Sequence, residues 1–504
     1  MWTMITTKKN KKYDAGFDSA DRLATLYLAL PVAVFCLGWL EPLVALGACV
    51  ALLSLLWPLR RSSWQARATT WPWLTAAITV AMAWAAFGGA GHFFYANQFD
   101  WKVRDAVLRD LTVLPWPVSY GQLQGFDFLL RAPIAYYLPA SLLACWIGLT
   151  SADLLLYGWT VAGLFLFIWL MFNWIHGAGR RLLWLILLPW FSGADAVGWW
   201  LFKTRAFDLG EHLEWWVGAY QYSASSTLLF WVPNHALPGW LAAGLLLRHW
   251  SRPSALWVLT FLIAVTPLWS PLVTISLLPF AAAWLVQSIH WPIIKSCLTD
   301  RSLWVAMLGG LGVAVICSIW LVADTQAIPM GSTFMPIAWE AWLNRWVTFQ
   351  VVEWGGVAVL AYCRNIGAFF WAAVLLLLVL PIFKFGVGND LTMRASILPL
   401  MILFTLLVDA LWRSASDGHF VRGGLICIAL AVGAITPAQE FIRAWTQPHW
   451  SPDLRVNVLE ATGYFPANYI ARWQRMPTIV QVTFRPPPAL TQIPASMNPR
   501  VPRN

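Results

Sequence analysis

Residues 24–59 read ATLYLALPVAVFCLGWLEPLVALGACVALLSLLWPL and contain a single charged residue, Glu41. A helix needs about 20 mainly apolar residues to cross the hydrocarbon core of a bilayer, and each half of this stretch approaches that length. The pattern predicts a hairpin of two membrane-spanning helices, 24–40 and 43–59. The first run is not interpreted as a cleavable signal peptide, because a second apolar run follows at once and no small-residue cleavage site separates them.

The whole chain has the same character. Of its 504 residues, 59% are hydrophobic and 11% are charged, whereas a soluble domain carries about 25% charged residues. This composition excludes an ordinary water-soluble enzyme and predicts an all-α polytopic membrane protein, surrounded by membrane lipids, with about 13 transmembrane helices. After the first hairpin, the predicted spans are 71–92, 154–175, 182–202, 226–247, 255–268, 271–289, 303–323, 346–363, 366–383, 395–412 and 423–437.

Charge and cysteine content exclude two further classes. The chain has 33 Lys and Arg against 23 Asp and Glu, a net charge of +10. The cations punctuate apolar segments and do not form one basic face, so no nucleic-acid partner is predicted. The seven cysteines mostly lie singly in or beside apolar runs without a C-x-x-C pair, which indicates packing residues and not a metal or redox site.

Basic residues set the predicted orientation, because short loops rich in Lys and Arg resist translocation. The segment 1–23 is predicted to be cytoplasmic, and the third span then delivers the loop 93–133 to the outer side of the membrane, expected to be a bacterial inner membrane. The cations that precede the first span and follow the second are Lys8, Lys9, Lys11, Lys12, Arg60, Arg61 and Arg67.

The apolar segment 134–152 leaves the topology open, because it is short and has Pro139 in its middle. If it crosses the membrane, the next basic loop lies outside. If it is re-entrant or packs inside the protein, the later basic loops, around Arg180, Arg248, Lys295 and Arg364, become cytoplasmic. This alternative agrees better with the tendency of basic loops to stay in the cytoplasm. This second alternative places outside the segments 203–225, 324–345, 384–394 and the tail.

The composition changes near residue 438, which closes the predicted membrane domain, 24–437. Residues 438–504 are polar and rich in proline and end in RPPPALTQIPASMNPRVPRN. They have too few apolar residues for a large core. The prediction is a small C-terminal appendage on the outer side, in which the β-prone run 478–484 forms a strand.

The segment 92–120, HFFYANQFDWKVRDAVLRDLTVLPWPVSY, is the first that suggests chemistry. Charged and apolar residues recur in it with helical spacing, which predicts an amphipathic helix lying flat at the bilayer surface. The helix carries Asp100, Asp105 and Asp110 directly after a predicted span, where a carboxylate can meet a substrate carried on a lipid. The alternative is an interfacial anchor whose acids pair with arginines at i, i+4.

This order of features resembles the C-type glycosyltransferase superfamily: an N-terminal span, an outward loop with Asp near the membrane, a surface helix and a Pro-Tyr-rich helix start. Those polytopic enzymes take a sugar from a polyprenyl-phosphate carrier on the outer side of the membrane. The resemblance implies that Asp105 or Asp100 is the catalytic base or an acid linked to a divalent metal ion as cofactor. The chain departs from the usual pattern in its extra hairpin, 24–59, and in having no clear paired D-D, D-E or E-D motif.

A second polar stretch, 203–238, combines acids with aromatic rings. Sugars stack on aromatic rings and hydrogen-bond carboxylates through their hydroxyls, so Glu211, Glu214 and Trp215 are candidate substrate-binding residues. The alternative is an aromatic belt at the membrane interface. His235 follows a proline at a helix start, where freed backbone groups must be satisfied. It is a candidate ligand for phosphate or hydroxyl; the alternative is a hydrogen-bonded structural histidine.

The third stretch, 389–394, leads into the span at 395. Arg394 at this helix entrance suits a phosphate, because the planar guanidinium matches phosphate oxygens, and Asp390 can orient it. The alternative is a helix start with an acidic first turn. Acids within spans are also functional candidates, because their burial is costly, but three lie near predicted span ends: Asp153, Asp195 and Asp409.

These features predict a membrane glycosyltransferase that moves a sugar from a polyprenyl-phosphate donor to an envelope glycan, lipid or protein. A loop carboxylate removes the acceptor proton, Arg394 and Arg104 stabilise the leaving phosphate, and Arg109 joins the substrate-binding set. The alternative class is a transporter or flippase of lipid-linked glycans, which predicts acids deep in the bundle and broken helices. A polymerase or ligase of surface polysaccharide is a third alternative, resting on outer Arg and His groups.

Overall fold

The computed structural model describes residues 16–61, 69–123, 125–203, 205–288, 299–326, 328–334, 337–362, 367–463 and 468–488. Several predictions lie outside the described residues: those on Lys8, Lys9, Lys11, Lys12, Arg67, Lys295, Arg364 and the end of the tail from residue 489.

Helices make up most of the described chain. Among the described residues, seven helices are long and apolar enough to cross a membrane: Ser19–Trp39, Pro42–Arg60, Leu149–Trp174, Ala178–Lys203, Arg301–Val322, Asp390–Ser416 and Phe420–Thr446. Each overlaps a predicted span, so a helical, polytopic architecture is confirmed at this level, while the total of about 13 crossings stays a prediction. The other predicted spans coincide with shorter helices: Trp71–Ala86, Pro233–His249, Ser254–Val265, Pro271–Gln287, Trp339–Gln350, Gly356–Ala361 and Ala368–Val379.

Several helices are interrupted. Ala178–Lys203 comprises Ala178–Leu187, a single 3-10 turn and Asp195–Lys203. A π turn, Val351–Gly355, joins Trp339–Gln350 to Gly356–Ala361. The last two long helices consist of Asp390–Ala395 with Ile397–Ser416, and Phe420–Gly433 with Ile435–Thr446; the remaining helices are Gln98–Val113, Leu138–Ile147, Ser225–Trp231, Val458–Ala461 and Thr478–Thr483.

The start of the first helix closes one end of the bundle. Asp18 caps the helix by accepting the backbone N–H groups of Ala20 and Asp21, and the Asp21 carboxylate accepts the N–H of Asp18 at 3.0 Å. This reciprocal pattern satisfies N–H groups that a helix start leaves free. Both carboxylates also bind Arg248, each at 2.7 Å, and so join the first helix to the end of Pro233–His249.

The opposite end, which we call the loop end, gathers the described parts of 87–151, 205–224, 323–338, 380–389 and 447–488. Asn389 donates its side-chain N–H to the carbonyl of Ala219 at 3.2 Å. Arg472 in the tail pairs with Asp324 at 2.8 Å. These contacts bring together the loops that the second topological alternative assigned to one side of the membrane.

The structure also bears on whether 134–152 crosses. Its helix, Leu138–Ile147, has ten residues, which rise about 15 Å and cover only half of a hydrocarbon core of about 30 Å. The N–H of Gly91 donates to Asp153 at 2.9 Å, so the chain leaves Trp71–Ala86 and re-enters the bundle at the same end. Both observations favour the alternative in which this segment does not cross.

The tail is part of the loop end and not a separate appendage. Its strand Ile470–Arg472 pairs antiparallel with Phe126–Leu130, which pairs antiparallel with Ser119–Leu123. A second sheet pairs Met330–Ser332 with Phe383–Phe385. The last long helix continues to Thr446, so the change in composition at 438 does not mark the end of the bundle.

The strand predicted for 478–484 is wrong, because Thr478–Thr483 is a helix. Val480 and Phe484, four residues apart, are buried on the same helical face, whereas Ile479 and Val482 are exposed. Helical spacing, and not alternation, therefore matches the burial of this β-branched run.

Candidate functional site

The helix Gln98–Val113, which we call the loop helix, is embedded in protein. The Asn97 side chain caps it by accepting two backbone N–H groups of the first turn. Trp101 is fully buried, and its indole N–H donates to the carbonyl of Phe230 at 2.7 Å. Trp101 therefore packs inside the protein and does not reach lipid headgroups as expected, because other segments of the loop end cover it; the orientation of the helix to the bilayer stays a prediction.

Arg104 lies at the centre of the site and is 4% exposed. Its Nη1 donates to the Asn234 side-chain carbonyl at 2.8 Å and to the Tyr137 hydroxyl at 3.2 Å. Its Nε donates to the carbonyl of Trp231 at 2.8 Å, and its Nη2 to Asp100 at 3.3 Å. Acceptors from several segments thus fix the guanidinium in place and fasten the loop helix to the start of Pro233–His249.

Two more charged side chains face this group from the helix Asp390–Ala395. The Asp390 carboxylate interacts electrostatically with Asp100 and Arg104, and Arg394 with His235. The side chains of Asp100, Asp390 and Arg394 are 23%, 30% and 11% exposed, so this charged group is partly accessible from outside. We call it the two-arginine cleft; its residues are Asp100, Arg104, His235, Asp390, Arg394 and Tyr469.

Arg394 has fewer hydrogen-bond partners than Arg104 among the described residues. Its Nη2 lies 3.7 Å from the Asp390 carboxylate, which is longer than a hydrogen bond. Its Nε is buried and has no hydrogen-bond partner among the residues that the structure describes. One donor of Arg394 is therefore left unoccupied by the described part of the chain.

His235 forms a wall of the cleft in a fixed tautomer. Its Nε2 is 3.2 Å from the Asn234 amide nitrogen, and its Nδ1 is 2.7 Å from the Ser270 hydroxyl. Because the Asn234 carbonyl oxygen is bound to Arg104, its amide nitrogen donates, so Nε2 accepts and Nδ1 carries the proton. This geometry fits the structural alternative for His235 better than direct binding of phosphate.

Tyr469 enters the cleft from the tail. Its backbone carbonyl accepts the N–H of Arg131 at 2.7 Å, and its side chain interacts electrostatically with Arg104 and Asp390. Burial raises the pKa of the Tyr469 hydroxyl to about 12, against the opposing effect of the Arg104 cation. The hydroxyl is therefore protonated near neutral pH. No local signal in the polar tail marked this residue.

A second group of side chains lies beside the cleft. Nε2 of His92 is 3.2 Å and 3.1 Å from the two Asp105 oxygens. Asp153 joins them, and one potential ligand atom from each of the three lies within 4.8 Å of the others. The backbone of His92 has a φ of 45°, a conformation that is uncommon for residues other than glycine and often found at functional sites.

His92, Asp105 and Asp153 fit a divalent metal ion. Imidazole nitrogen and carboxylate oxygen are suitable ligands for ions such as Zn²⁺ or Mn²⁺. Nδ1 of His92 is buried and finds no hydrogen-bond partner in the described part of the chain. Burial raises the pKa of Asp105, and the Asp105 carboxylate raises the pKa of His92 despite burial. A metal ion in this group would compete with the proton that the pair holds.

Arg109 lies on the loop helix but does not face the cleft. It pairs with Asp110 at 2.7 Å and donates to the carbonyl of Leu454 at 3.2 Å. The Asp110 carboxylate is fully buried and also accepts the Tyr120 hydroxyl at 2.8 Å and the Val458 N–H at 2.9 Å. These two residues fasten the tail to the first loop, so the prediction of Arg109 as a substrate-binding residue is not supported.

The predicted sugar-binding residues that follow the fourth long helix, Ala178–Lys203, also make their contacts elsewhere. Glu211 pairs with an exposed arginine, and Trp215 is 51% exposed. Glu214 is buried 3.4 Å from His212, which lies 3.7 Å from Glu440 on the last long helix. Burial lowers the pKa of His212, but Glu214 and Glu440 together raise it to about 9. This stretch therefore folds against the bundle as an ion-paired cluster.

No protein-family model and no curated protein sequence matches this chain. The functional conclusion therefore depends on the two-arginine cleft and the His92 group.

Proposed function

We propose that the protein is a membrane glycosyltransferase that moves a sugar from a polyprenyl-phosphate donor to a hydroxyl group of an envelope glycan, lipid or protein on the outer side of the membrane. The observation that carries this proposal is the two-arginine cleft. Two guanidinium groups and two carboxylates meet there, at one end of a bundle of long apolar helices. The cations would bind the phosphate of the lipid donor, and a carboxylate would accept the proton of the acceptor hydroxyl.

The donor phosphate binds Arg394 in this proposal. Arg394 lies in the first turns of the apolar helix Asp390–Ser416, so a phosphate at headgroup level reaches it while the polyprenyl chain stays in the membrane. Its planar guanidinium, which is 11% exposed, suits phosphate oxygens. Arg104 acts through its charge, because its N–H groups are already bound to protein acceptors.

Asp100 is the better base of the two predicted acids. Both oxygens of Asp105 face His92, whereas Asp100 is partly exposed in the cleft and has a 3.3 Å contact with Arg104. In the proposed step Asp100 takes the acceptor proton while the acceptor oxygen bonds to the anomeric carbon. The bond from that carbon to the phosphate oxygen breaks, and the leaving phosphate carries the electron pair toward Arg394. A single displacement of this kind inverts the anomeric configuration.

His92, Asp105 and Asp153 would hold a divalent ion beside this cleft. Such an ion supplies positive charge that stabilises phosphate oxygens. Asp105 already interacts electrostatically with Arg104, so the ion would act close to the reacting groups.

A transporter or flippase of lipid-linked glycans is the second candidate. One observation favours it: Asp195 and Glu353 are buried in the bundle at an interrupted helix and a π turn. Acids in the bundle and broken helices are typical of transporters.

The test is a reconstitution of the full chain in lipid nanodiscs with a panel of polyprenyl-phosphate sugars and membrane extract as acceptor. Release of polyprenyl phosphate measures transfer. We expect release by the wild type and a decrease of about 10²- to 10⁴-fold in Asp100→Asn, the usual contribution of a general base. Asp127→Asn, which changes an acid of the same loop outside the cleft, is the matched control and should keep full activity.

Full turnover by Asp100→Asn would remove the proposed base. Loss of turnover in Asp105→Asn alone, with the metal content of the protein unchanged, would transfer the role to Asp105. Transbilayer movement of an intact lipid-linked glycan in proteoliposomes, without release of polyprenyl phosphate, would support the second candidate instead.

A further inference from the structure

Two carboxyl groups are buried together inside the bundle, outside the two-arginine cleft. Asp195 begins the helix Asp195–Lys203, and Glu353 lies in the π turn Val351–Gly355. Their exposed fractions are 0% and 2%. The two side chains lie within hydrogen-bonding range of each other.

The backbone is shaped to allow this approach. The helix interruption at 191–194 lets the N–H of Ala194 donate to the carbonyl of Val352 at 3.2 Å. Gly193 packs directly against Glu353, and a Cβ atom at this glycine would collide with Oε2 of the carboxyl group. The chain therefore brings one acid onto the other at the point where both helices are irregular.

The donors around the pair account for only half of its oxygens. Oδ2 of Asp195 accepts the hydroxyls of Ser192 and Thr436, each at 2.8 Å. Oε1 of Glu353 accepts the indole N–H of Trp216 at 2.6 Å. Oδ1 of Asp195 and Oε2 of Glu353 are buried, and within the described ranges neither receives a hydrogen bond.

The charged group that faces the pair is a third acid, Glu214. It is itself bound by the Ala224 N–H at 2.8 Å and paired with His212 at 3.4 Å. Two ionised carboxylates in contact repel strongly in an interior of low dielectric constant, and a neighbouring acid adds to the repulsion.

We propose that Asp195 and Glu353 form a proton-binding site in which one proton is shared between Oδ1 of Asp195 and Oε2 of Glu353. The proton satisfies both oxygens and leaves the pair with one negative charge, which the Ser192, Thr436 and Trp216 donors stabilise. Two carboxyl groups within hydrogen-bonding range hold a single proton because both cannot ionise. Hard metal ions such as Ca²⁺ take six or more oxygen ligands, and the other two oxygens of this pair are already occupied by donors.

The site joins parts of the chain that are far apart in sequence. It links the helix interruption at 191–194, the π turn and, through Thr436, the last long helix. Gain or loss of the proton would therefore act on the packing of all three, and this holds whether or not the protein transfers sugars. Interrupted helices and π turns are frequent at functional sites.

The test uses infrared spectra of the full-length protein in nanodiscs at pH 7. A protonated carboxyl group has a carbonyl band that an ionised one lacks. In Glu353→Gln and in Asp195→Asn the new amide replaces the proton as donor, and the remaining acid ionises. We expect each variant to lose the intensity of one protonated group. Asp409→Asn is the control, because Asp409 is paired with Arg180 at 3.2 Å and with Arg413 at 2.8 Å, and this substitution should leave the band unchanged.

A band that is absent from the wild type, or unchanged in both variants, would overturn the proposal. A sodium-dependent unfolding temperature with no protonated band would also overturn it and would identify a metal cation instead. If a variant fails to fold, a labelling experiment on the wild-type protein tests the proposal instead. Dicyclohexylcarbodiimide modifies protonated carboxyl groups in apolar surroundings, so mass spectrometry should find the label on Asp195 or Glu353 and not on Asp409. No label on either acid of the pair would count against the shared proton.

Discussion

The fastening of the tail by Asp110 allows a quantitative prediction. The Asp110 carboxylate is fully buried and accepts from Arg109 with one oxygen and from Tyr120 and Val458 with the other. In Asp110→Asn the amide oxygen can still accept from Tyr120 and Val458, but the amide nitrogen then meets the donors of Arg109. Loss of one charge-assisted hydrogen bond, with weakening of the two others, costs about 2–4 kcal/mol.

This cost falls on opening of the tail, because the contact joins the tail to the loop helix. A loss of about 2–4 kcal/mol increases the population of the open state by roughly 30- to 1,000-fold. Hydrogen exchange followed by mass spectrometry measures that opening directly. We expect faster exchange by this factor in peptides that cover the described tail, residues 447–463 and 468–488, with little change in the apolar helices.

The matched control is Asp453→Asn, which removes a tail carboxylate whose partner is the exposed Arg455. A surface pair of this kind contributes little to stability, so its exchange should equal that of the wild type. Equal exchange in Asp110→Asn and Asp453→Asn would refute the inference that the buried carboxylate holds the tail on the first loop.

Three further predictions follow from the site. Arg394→Ala should raise the donor concentration at half-maximal rate by about 10- to 150-fold, because one charge-assisted hydrogen bond is lost. Lys384→Ala, which removes an exposed cation nearby, should leave this concentration unchanged. Equal half-maximal concentrations for the two variants in steady-state assays would contradict phosphate binding by Arg394. Elemental analysis after incubation with Mn²⁺ or Zn²⁺ should find bound metal in Asp127→Asn and much less in His92→Ala, and equal metal content would exclude the His92 group as the site. The raised pKa of His212, about 9 against an ordinary value of about 6.5, gives stabilisation that is complete below about pH 6.5 and is lost as pH rises through about 9. The unfolding temperature should therefore fall between about pH 8 and 10, and less steeply in His212→Asn; parallel curves would show that His212 does not cause the fall.

Local patterns in the sequence were sufficient for the long helices and for one pair in the cleft. A spanning helix is recognised from its own residues, and Asp100 with Arg104 is an i, i+4 pair on one helix. Arg394 is predicted as a phosphate ligand from its place at a span entrance, whereas its position beside His235 depends on the packing of distant segments. The contribution of the polar tail to the cleft was not predicted. Tyr469 reaches the cleft because the strand Ile470–Arg472 pairs with the first loop, and strand pairing between distant segments leaves no local pattern in the sequence.

The pairing of the two buried acids could not be predicted from the sequence either. Asp195 looked like the end of a span, and Glu353 sits within an otherwise apolar run. Only the packing of an interrupted helix against a π turn brings them together. The covering of the loop helix was not predicted for a related reason: its amphipathic pattern indicates one apolar face, but a pattern cannot say whether lipid or other protein segments cover that face.

The position of Tyr469 bears on how the protein matures during biosynthesis. The apolar helices can enter the membrane in order as they are synthesised, but the cleft gains Tyr469 only after the ribosome has translated past the last long helix. The tail must then fold back onto a hairpin that was made early. A nascent chain whose translation stops after the last helix would lack Tyr469, so its arginines and acids would form a cleft without this side chain.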